Sequence, residues 1–252
     1  MLINFHDHLA FYEDFDQAVN MIEDSEIVTL ACAMDLDDYI NIEKYANGKR
    51  VIKKGIGIHP FKIKENSYTE GLEDYIVEAD FIGEIGMDFF WNEEEKHYNK
   101  QREIFEYFIE MAVKYDKITN IHTKGAEREV LEILKKHRPR NPIIHWYSGD
   151  LDLVEEYLEI GAYFTISVDV GISRLTDELI KILPLDKILT ETDGPTSLKW
   201  VKEENGNPQG IPDYGYPNYI GEIVSYIAEV KGVSAEKIEE RIYQNYLYLF
   251  GG

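Results

Sequence analysis

One cysteine, Cys32, is all that 252 residues provide, and a lone thiol excludes a disulfide framework. Its place in the apolar run IVTLACAM makes it a buried, inert side chain. Long apolar runs are missing too. No stretch is apolar for long enough to span a bilayer, and the N-terminus carries neither a basic leader nor a signal-like core. The expectation is a cytoplasmic protein without a membrane role. Positive charge is scarce: 26 Lys and Arg stand against 48 Asp and Glu, a net charge of −22. Such a surface as a whole repels nucleic acid, whose non-specific binding is mainly neutralisation of phosphates by Lys and Arg. A polyanionic substrate would need local help.

Low-complexity tracts and short repeats are likewise absent. What the chain does contain is an alternation of β-like runs with amphipathic helical ones. The former are LINFH, IVTLAC, VIKKGIGI, DFIGEIG, KITNIHT, NPIIHW, AYFTIS and KILTETD. Between them lie stretches such as YNKQREIFEYFIEMAVKYD and GAEREVLEILKKH, whose apolar residues recur three and four apart. With 44% hydrophobic residues, this predicts an α/β protein. The expected architecture is a TIM-like (β/α)8 barrel, one domain over residues 1–252, with a doubly wound open sheet as second choice. The Gly-, Pro- and Asn-rich stretch from Pro195 to Tyr219 reads as one long loop. Two helices are expected to close the chain, the second capped by Ser234 without a capping box, since Lys237 holds the third position after it.

Ionisable residues collect at the carboxyl ends of these runs. His6 and His8 end the first, Glu84 the fourth, His122 the fifth, His145 the sixth and Asp193 the eighth. In a barrel that is the face where the connecting loops build an active site. On a strand His6 and His8 project to one side while Phe5 and Asp7 project to the other. Imidazole and carboxylate together suit zinc, nickel, iron or manganese, and six such groups exceed one tetrahedral ion. Two ions sharing a carboxylate would use them all. A single histidine in such a place is more often a hydrogen-bonded core residue, and it is the coincidence of six such residues at strand ends that favours metal. His97 and His137, in charge-rich helical surroundings, read as solvated. His59, in GIHP, ends the third run and reads as a substrate contact, a support for a ligand, or a structural residue.

In order along the chain, FHDHL, GIHP, GEIGMD, QREIF, IHTKGA, HWYSG, LTETDGP and QNYLYLF make the sequence resemble the TatD-like metal-dependent hydrolases, the TatD DNase family of the amidohydrolase superfamily. The resemblance implies a TIM-like barrel, two divalent ions (zinc, magnesium, manganese or nickel) and hydrolysis of phosphodiester bonds, most often in DNA. By matching position it implies that His6, His8, Glu84 and Asp193 hold one ion and Glu84, His122 and His145 the other, with Glu84 shared. Asp193 would also orient the attacking water and take its proton. Asp88 and Glu191 share strand parity with Glu84 and Asp193, and each reads as a group that orients a ligand or as half of a buried ion pair. Asn4 stands where the family usually has an acid. Lys124 stands where arginine is common, replacing a bidentate fork for phosphate with a point charge.

Lys62, Lys64, Lys124, Arg174, Lys199 and Lys202 fall in expected loops and would form a basic rim, with Trp91, Trp146 or Trp200 available for base stacking; scattered loop lysines and packed tryptophans are the plainer reading. The leading expectation is a phosphodiesterase or deoxyribonuclease acting on single-stranded or frayed DNA, with no obligate protein partner. The alternatives are an amidohydrolase cleaving a small amide, lactone or phosphoester, and a non-catalytic metal-binding scaffold. The scaffold would be expected to lack ligands, and none of the six is missing.

Overall fold

The computed structural model describes residues 1–46, 48–92, 94–206 and 211–251. In chain order the elements are β1 (Ile3–Asp7), α1 (Phe15–Asp24), β2 (Val28–Cys32), α2 (Leu36–Ala46), β3 (Ile52–Ile56), α3 (Glu73–Glu78), β4 (Phe81–Gly86) and α4 (Tyr98–Tyr115). There follow β5 (Thr119–His122), α5 (Glu127–His137), β6 (Ile143–Ile144), α6 (Val154–Glu159), β7 (Tyr163–Ile166), α7 (Arg174–Ile182), β8 (Ile188–Thr190), α8 (Ser197–Glu204), α9 (Ile220–Lys231) and α10 (Ala235–Phe250). The eight strands form one sheet in sequence order. Strand–helix alternation with parallel neighbours is the (β/α)8 barrel class that the sequence predicts.

The chain divides into two compact units. The first comprises Met1–Ala31, Lys44–Lys53 and Thr165–Gly252. Here β8 lies beside β1: Thr190 Oγ1 donates to the Ile3 carbonyl at 2.7 Å, and the Asp193 N–H to the His6 carbonyl at 3.0 Å. Ile3, Phe5, Ile22, Leu189, Ile223 and Ile242 are among its buried side chains. Phe5 turns outward to meet Tyr246 of α10, ring centroids 6.3 Å apart. The Ser234 side chain caps α10 as expected, accepting from the Lys237 N–H.

The second unit comprises Cys32–Glu43 and Lys54–Phe164. All six residues of β4 are buried, as for a strand covered on both faces. Along α4, Gln101, Ile104, Phe105, Phe108, Ile109 and Ala112 turn inward at the spacing of one helix face. Where β4 meets β5, Gly86 pairs with His122. A Cβ on Gly86 would lie 2.0 Å from the His122 carbonyl oxygen, and its φ is +149°, so only glycine allows this approach.

The stretch from Pro195 to Tyr219 is not one loop. Ser197–Glu204 is a helix whose inner face buries Ser197, Leu198 and Val201. Its residues SLKWVKEE are mostly good helix formers, and the Gly- and Pro-rich chemistry begins only at Gly206. Residues 207–210 of that expected loop lie outside the described residues, and Pro217–Tyr219 forms a 3-10 turn.

Candidate metal centre

Two groups of candidate ligands arise, one in each unit. In the first, β1 carries His6 and delivers His8 just past its end, while Asp193 follows β8. Backbone bonds join the segments: the Asp193 N–H reaches the His6 carbonyl at 3.0 Å and the His8 N–H reaches the Gly194 carbonyl at 3.3 Å. Asp193 has φ +46°, a left-handed conformation that aspartate tolerates better than most residues. His6 Nε2 and His8 Nε2 are 3.2 Å apart, and they stand 3.5 and 3.4 Å from Asp193 Oδ1. All three residues are buried. Ligand atoms around a tetrahedral ion, at bonds of about 2.0–2.1 Å, are about 3.3–3.4 Å apart. The triangle therefore has the size a divalent ion requires, and a cation at it would satisfy three converging lone pairs at once.

A buried polar network supports this triangle. The register of β1 against β2 slips between Asn4 and Asp7, so two residues three apart meet where plain alternation would separate them. Asn4 Nδ2 donates to Asp7 Oδ2 at 3.0 Å and to Thr192 Oγ1 at 2.7 Å, while Asn4 Oδ1 accepts the Thr192 N–H at 3.0 Å. Thr192 Oγ1 in turn donates to Asp7 Oδ2 at 2.7 Å, and the Tyr12 hydroxyl lies 3.2 Å from the same oxygen. Burial pushes the Asp7 carboxyl up to about 6, against the bonds from Thr192, Tyr12 and Asn4 and the charge of His8. Sequence reasoning attaches no role to Asp7, Thr192 or Tyr12; only the bulge brings Asp7 to Asn4.

The second group centres on Glu84. Its Oε1 lies 3.0 Å from His122 Nδ1, 3.3 Å from His59 Nε2 and 3.7 Å from His145 Nε2. His59 Nδ1 accepts the Phe61 N–H at 3.1 Å, which leaves the proton of a neutral ring on Nε2, where it is donated to Glu84. That favours support of Glu84 over direct ligation. Asp88, just past β4, takes His122 Nε2 on Oδ2 at 2.7 Å. Burial alone would lower the His122 pKa, but the bonds to Asp88 and Glu84 more than offset it and raise it to about 9. For Asp88, burial works upward and is outweighed by His122 and by the N–H groups of Asn92 and Trp91, so the carboxyl is held low. His145 directly follows β6, and the next residue, Trp146, has φ +34°, a left-handed geometry that costs a bulky side chain about 1–3 kcal/mol.

The remaining expected residues fall less centrally. Glu191 is fully buried, its N–H on the Ile166 carbonyl, with a carboxylate oxygen within 4.8 Å of a His6 ring nitrogen. Lys124 does not reach out as a lone cation: its Nζ sits 4.0 Å from the centre of the Trp91 ring. His97 and His137 are half-buried rather than solvated, with His97 Nδ1 3.4 Å from Asn92 Oδ1 and His137 between Glu106 and Glu110. Three of the six residues of the expected basic rim are paired with carboxylates of the chain, Lys62 with Asp35 at 2.9 Å, Lys199 with Glu203 at 3.9 Å and Lys202 with Asp213 at 2.5 Å.

Known proteins share this arrangement of chain. An uncharacterized metal-dependent hydrolase of Methanocaldococcus jannaschii, MJ1582, is 26% identical over 96% of this chain and 94% of its own. The human deoxyribonuclease TATDN3 is 26% identical over 99% of this chain and 94% of its own. Among solved structures, the Escherichia coli TatD homologue YJJV superposes with a TM-score of 0.83 at 19% identity, covering 100% of this chain and 98% of that one, which shows the shared fold. The profile of TatD related DNases matches residues 3–251. This chain belongs to the TatD related DNase family.

Proposed function

We propose that the protein is a divalent-metal-dependent phosphodiesterase that cleaves DNA at single-stranded or frayed ends, with one ion on His6, His8 and Asp193 and a second on Glu84, His122 and His145. The observation that carries this reading is the His6–His8–Asp193 triangle, whose edges of 3.2–3.5 Å match the spacing of ligands about a small divalent ion. Membership of the TatD related DNase family supports the choice of bond, and two relatives carry the name deoxyribonuclease. The donors, imidazole with carboxylate, admit zinc, manganese or nickel readily and magnesium less so.

Divalent ions supply Lewis acidity at the phosphorus centre and a water that ionises near neutral pH. The protein's own groups do the rest. Asp193, whose Oδ1 lies beside both histidines and would be given to an ion, would orient the attacking water and take its proton on the other carboxylate oxygen. His122 presents Nδ1 on the Glu84 side because Asp88 holds the opposite nitrogen. His59 donates to Glu84 and fixes its carboxylate. A cytoplasmic location belongs to the same proposal. Among the described residues no helix is long and apolar enough to cross a membrane.

The test is metal analysis of the purified protein followed by hydrolysis of single-stranded DNA, bis(p-nitrophenyl) phosphate, and a small amide and lactone. Expected is phosphodiester cleavage that a chelator abolishes and that Asp193→Ala and Glu84→Ala each reduce by at least about a hundredfold. DNA cleavage that survives either substitution sinks the proposal, and turnover of amide or lactone alone would favour the amidohydrolase reading.

A further inference from the structure

Beside the Glu84 group stands an aromatic surface for which the hydrolytic chemistry has no use. Phe61, Phe90 and Trp91 are 43%, 59% and 43% exposed. Leaving that much ring in water forgoes burial at about 25 cal/mol per Å2, so a cluster of such rings calls for a ligand more than a scattered one does. These rings are clustered. The centroids of Phe61 and Trp91 are 5.5 Å apart and those of Phe90 and Trp91 6.1 Å. The cluster also adjoins the candidate ligands, Phe61 lying 4.9 Å from the His59 ring and Trp91 6.2 Å from the His122 ring. Lys124 stands over it, its Nζ 4.0 Å from the Trp91 centroid and 5.1 Å from that of Phe90.

The turn that carries Phe90 and Trp91 is hydrogen-bonded to a residue that also holds a candidate metal ligand. Asp88 Oδ1 accepts the N–H groups of Phe90, Trp91 and Asn92 at 3.0, 2.7 and 3.1 Å, while its other oxygen takes His122 Nε2. One carboxylate thus anchors both the aromatic turn and a ligand histidine. Asn92 Nδ2 reaches the Pro60 carbonyl at 3.4 Å, tying the turn to the segment that carries Phe61, and Tyr98 stacks on Phe89 with centroids 3.9 Å apart.

Charge decides what such a surface would bind. The chain carries −22, and Lys62, Lys199 and Lys202 are engaged with carboxylates of the protein itself. A polyanion held by released counterions needs many unengaged cations. Ring faces need none, and stacking is tolerant of base identity because every base has a π-face. A duplex keeps its internal bases stacked on one another, so an unpaired nucleotide can present a face here where one inside a duplex cannot.

We propose that Phe61, Phe90 and Trp91 form a nucleobase-stacking subsite, with Lys124 beside it for the adjoining phosphate, so that the protein takes single-stranded nucleic acid by its bases more than by its charge. This rests on the phosphodiesterase reading and names the feature of substrate that reading leaves open.

The experiment is equilibrium binding to the metal-loaded protein, by fluorescence anisotropy, of a short phosphorothioate oligothymidylate and of an abasic chain of the same length and linkage. Metal-dependent cleavage of the unmodified oligothymidylate is measured in parallel. One stacked base should make the thymidylate bind about 5- to 140-fold more tightly than the abasic chain. Trp91→Ala and Phe61→Ala should shrink that preference to about twofold, Trp91→Phe should keep most of it, and metal content should confirm that each variant folds. The slope of log Kd against log salt should correspond to one or two phosphates, at about 0.7 each. Equal binding of the two chains, or a preference that survives Trp91→Ala and Phe61→Ala together, overturns the subsite. Base preference without cleavage overturns the phosphodiesterase reading and leaves the subsite standing, so the two failures are distinguishable.

Discussion

Replacing Asp88 by Asn changes one charge and almost no volume. Asp88 Oδ1 accepts three backbone N–H groups, so the substituted carboxamide would keep its carbonyl oxygen there and turn its NH2 towards His122 Nε2, 2.7 Å away. Two N–H groups would then face each other. The imidazole escapes by moving its proton to Nδ1, the nitrogen that lies 3.0 Å from Glu84 Oε1, and a protonated Nδ1 cannot ligate. Loss of such a carboxylate partner typically costs 10–100-fold in metal affinity, about 1.4–2.8 kcal/mol. A zinc competition titration against a chromophoric chelator measures it, with native mass spectrometry counting the ions. The weakened ion should be the one that His122→Ala removes, while the ion that His8→Ala removes keeps its affinity. An Asp88→Asn protein that binds both ions within about twofold of the parent would refute the argument that Asp88 sets the His122 tautomer.

Two further outcomes are expected. Asn4→Asp places a second carboxylate at the 3.0 Å contact with Asp7 Oδ2, whose own pKa burial already raises to about 6. Urea unfolding should show a loss of about 1–3 kcal/mol near pH 8 that largely disappears near pH 5, where the pair shares a proton; equal loss at both values would contradict it. In chelated protein, His122 is held protonated up to about 9 against an ordinary 6.5. A pKa raised on folding contributes stability that is complete below 6.5 and lost as pH rises through 9, so the melting temperature should fall across that window. Calorimetry should find this segment flattened by His122→Asn, and an unchanged slope would show that another group carries it.

Much of the candidate site is legible before any coordinates, because its ligands sit at strand ends and strand periodicity is a local property. His6, His8, Glu84, His122, His145 and Asp193 come together in the two groups, and the barrel order follows from eight alternations. The helix Ser197–Glu204 is hidden by its Gly- and Pro-rich continuation. His59 is visible only as a histidine at a strand end, since the acceptor role of its Nδ1 depends on the Phe61 N–H. The lysines look like a rim in one dimension, because their carboxylate partners, Asp35 for Lys62 and Asp213 for Lys202, are 27 and 11 residues away.

By itself, then, the sequence determined the alternating fold and which side chains could bind a metal, both being matters of residue type and short-range period. Tertiary structure alone decided the rest. A slipped register joins Asn4 to Asp7, and backbone donors set tautomers. Phe61, Phe90, Trp91 and Lys124 meet on one surface although α3, β4, α4 and β5 all lie between Phe61 and Lys124 in the chain. Contacts between segments so distant in sequence exist only once the burial of the intervening core has closed the loops between them.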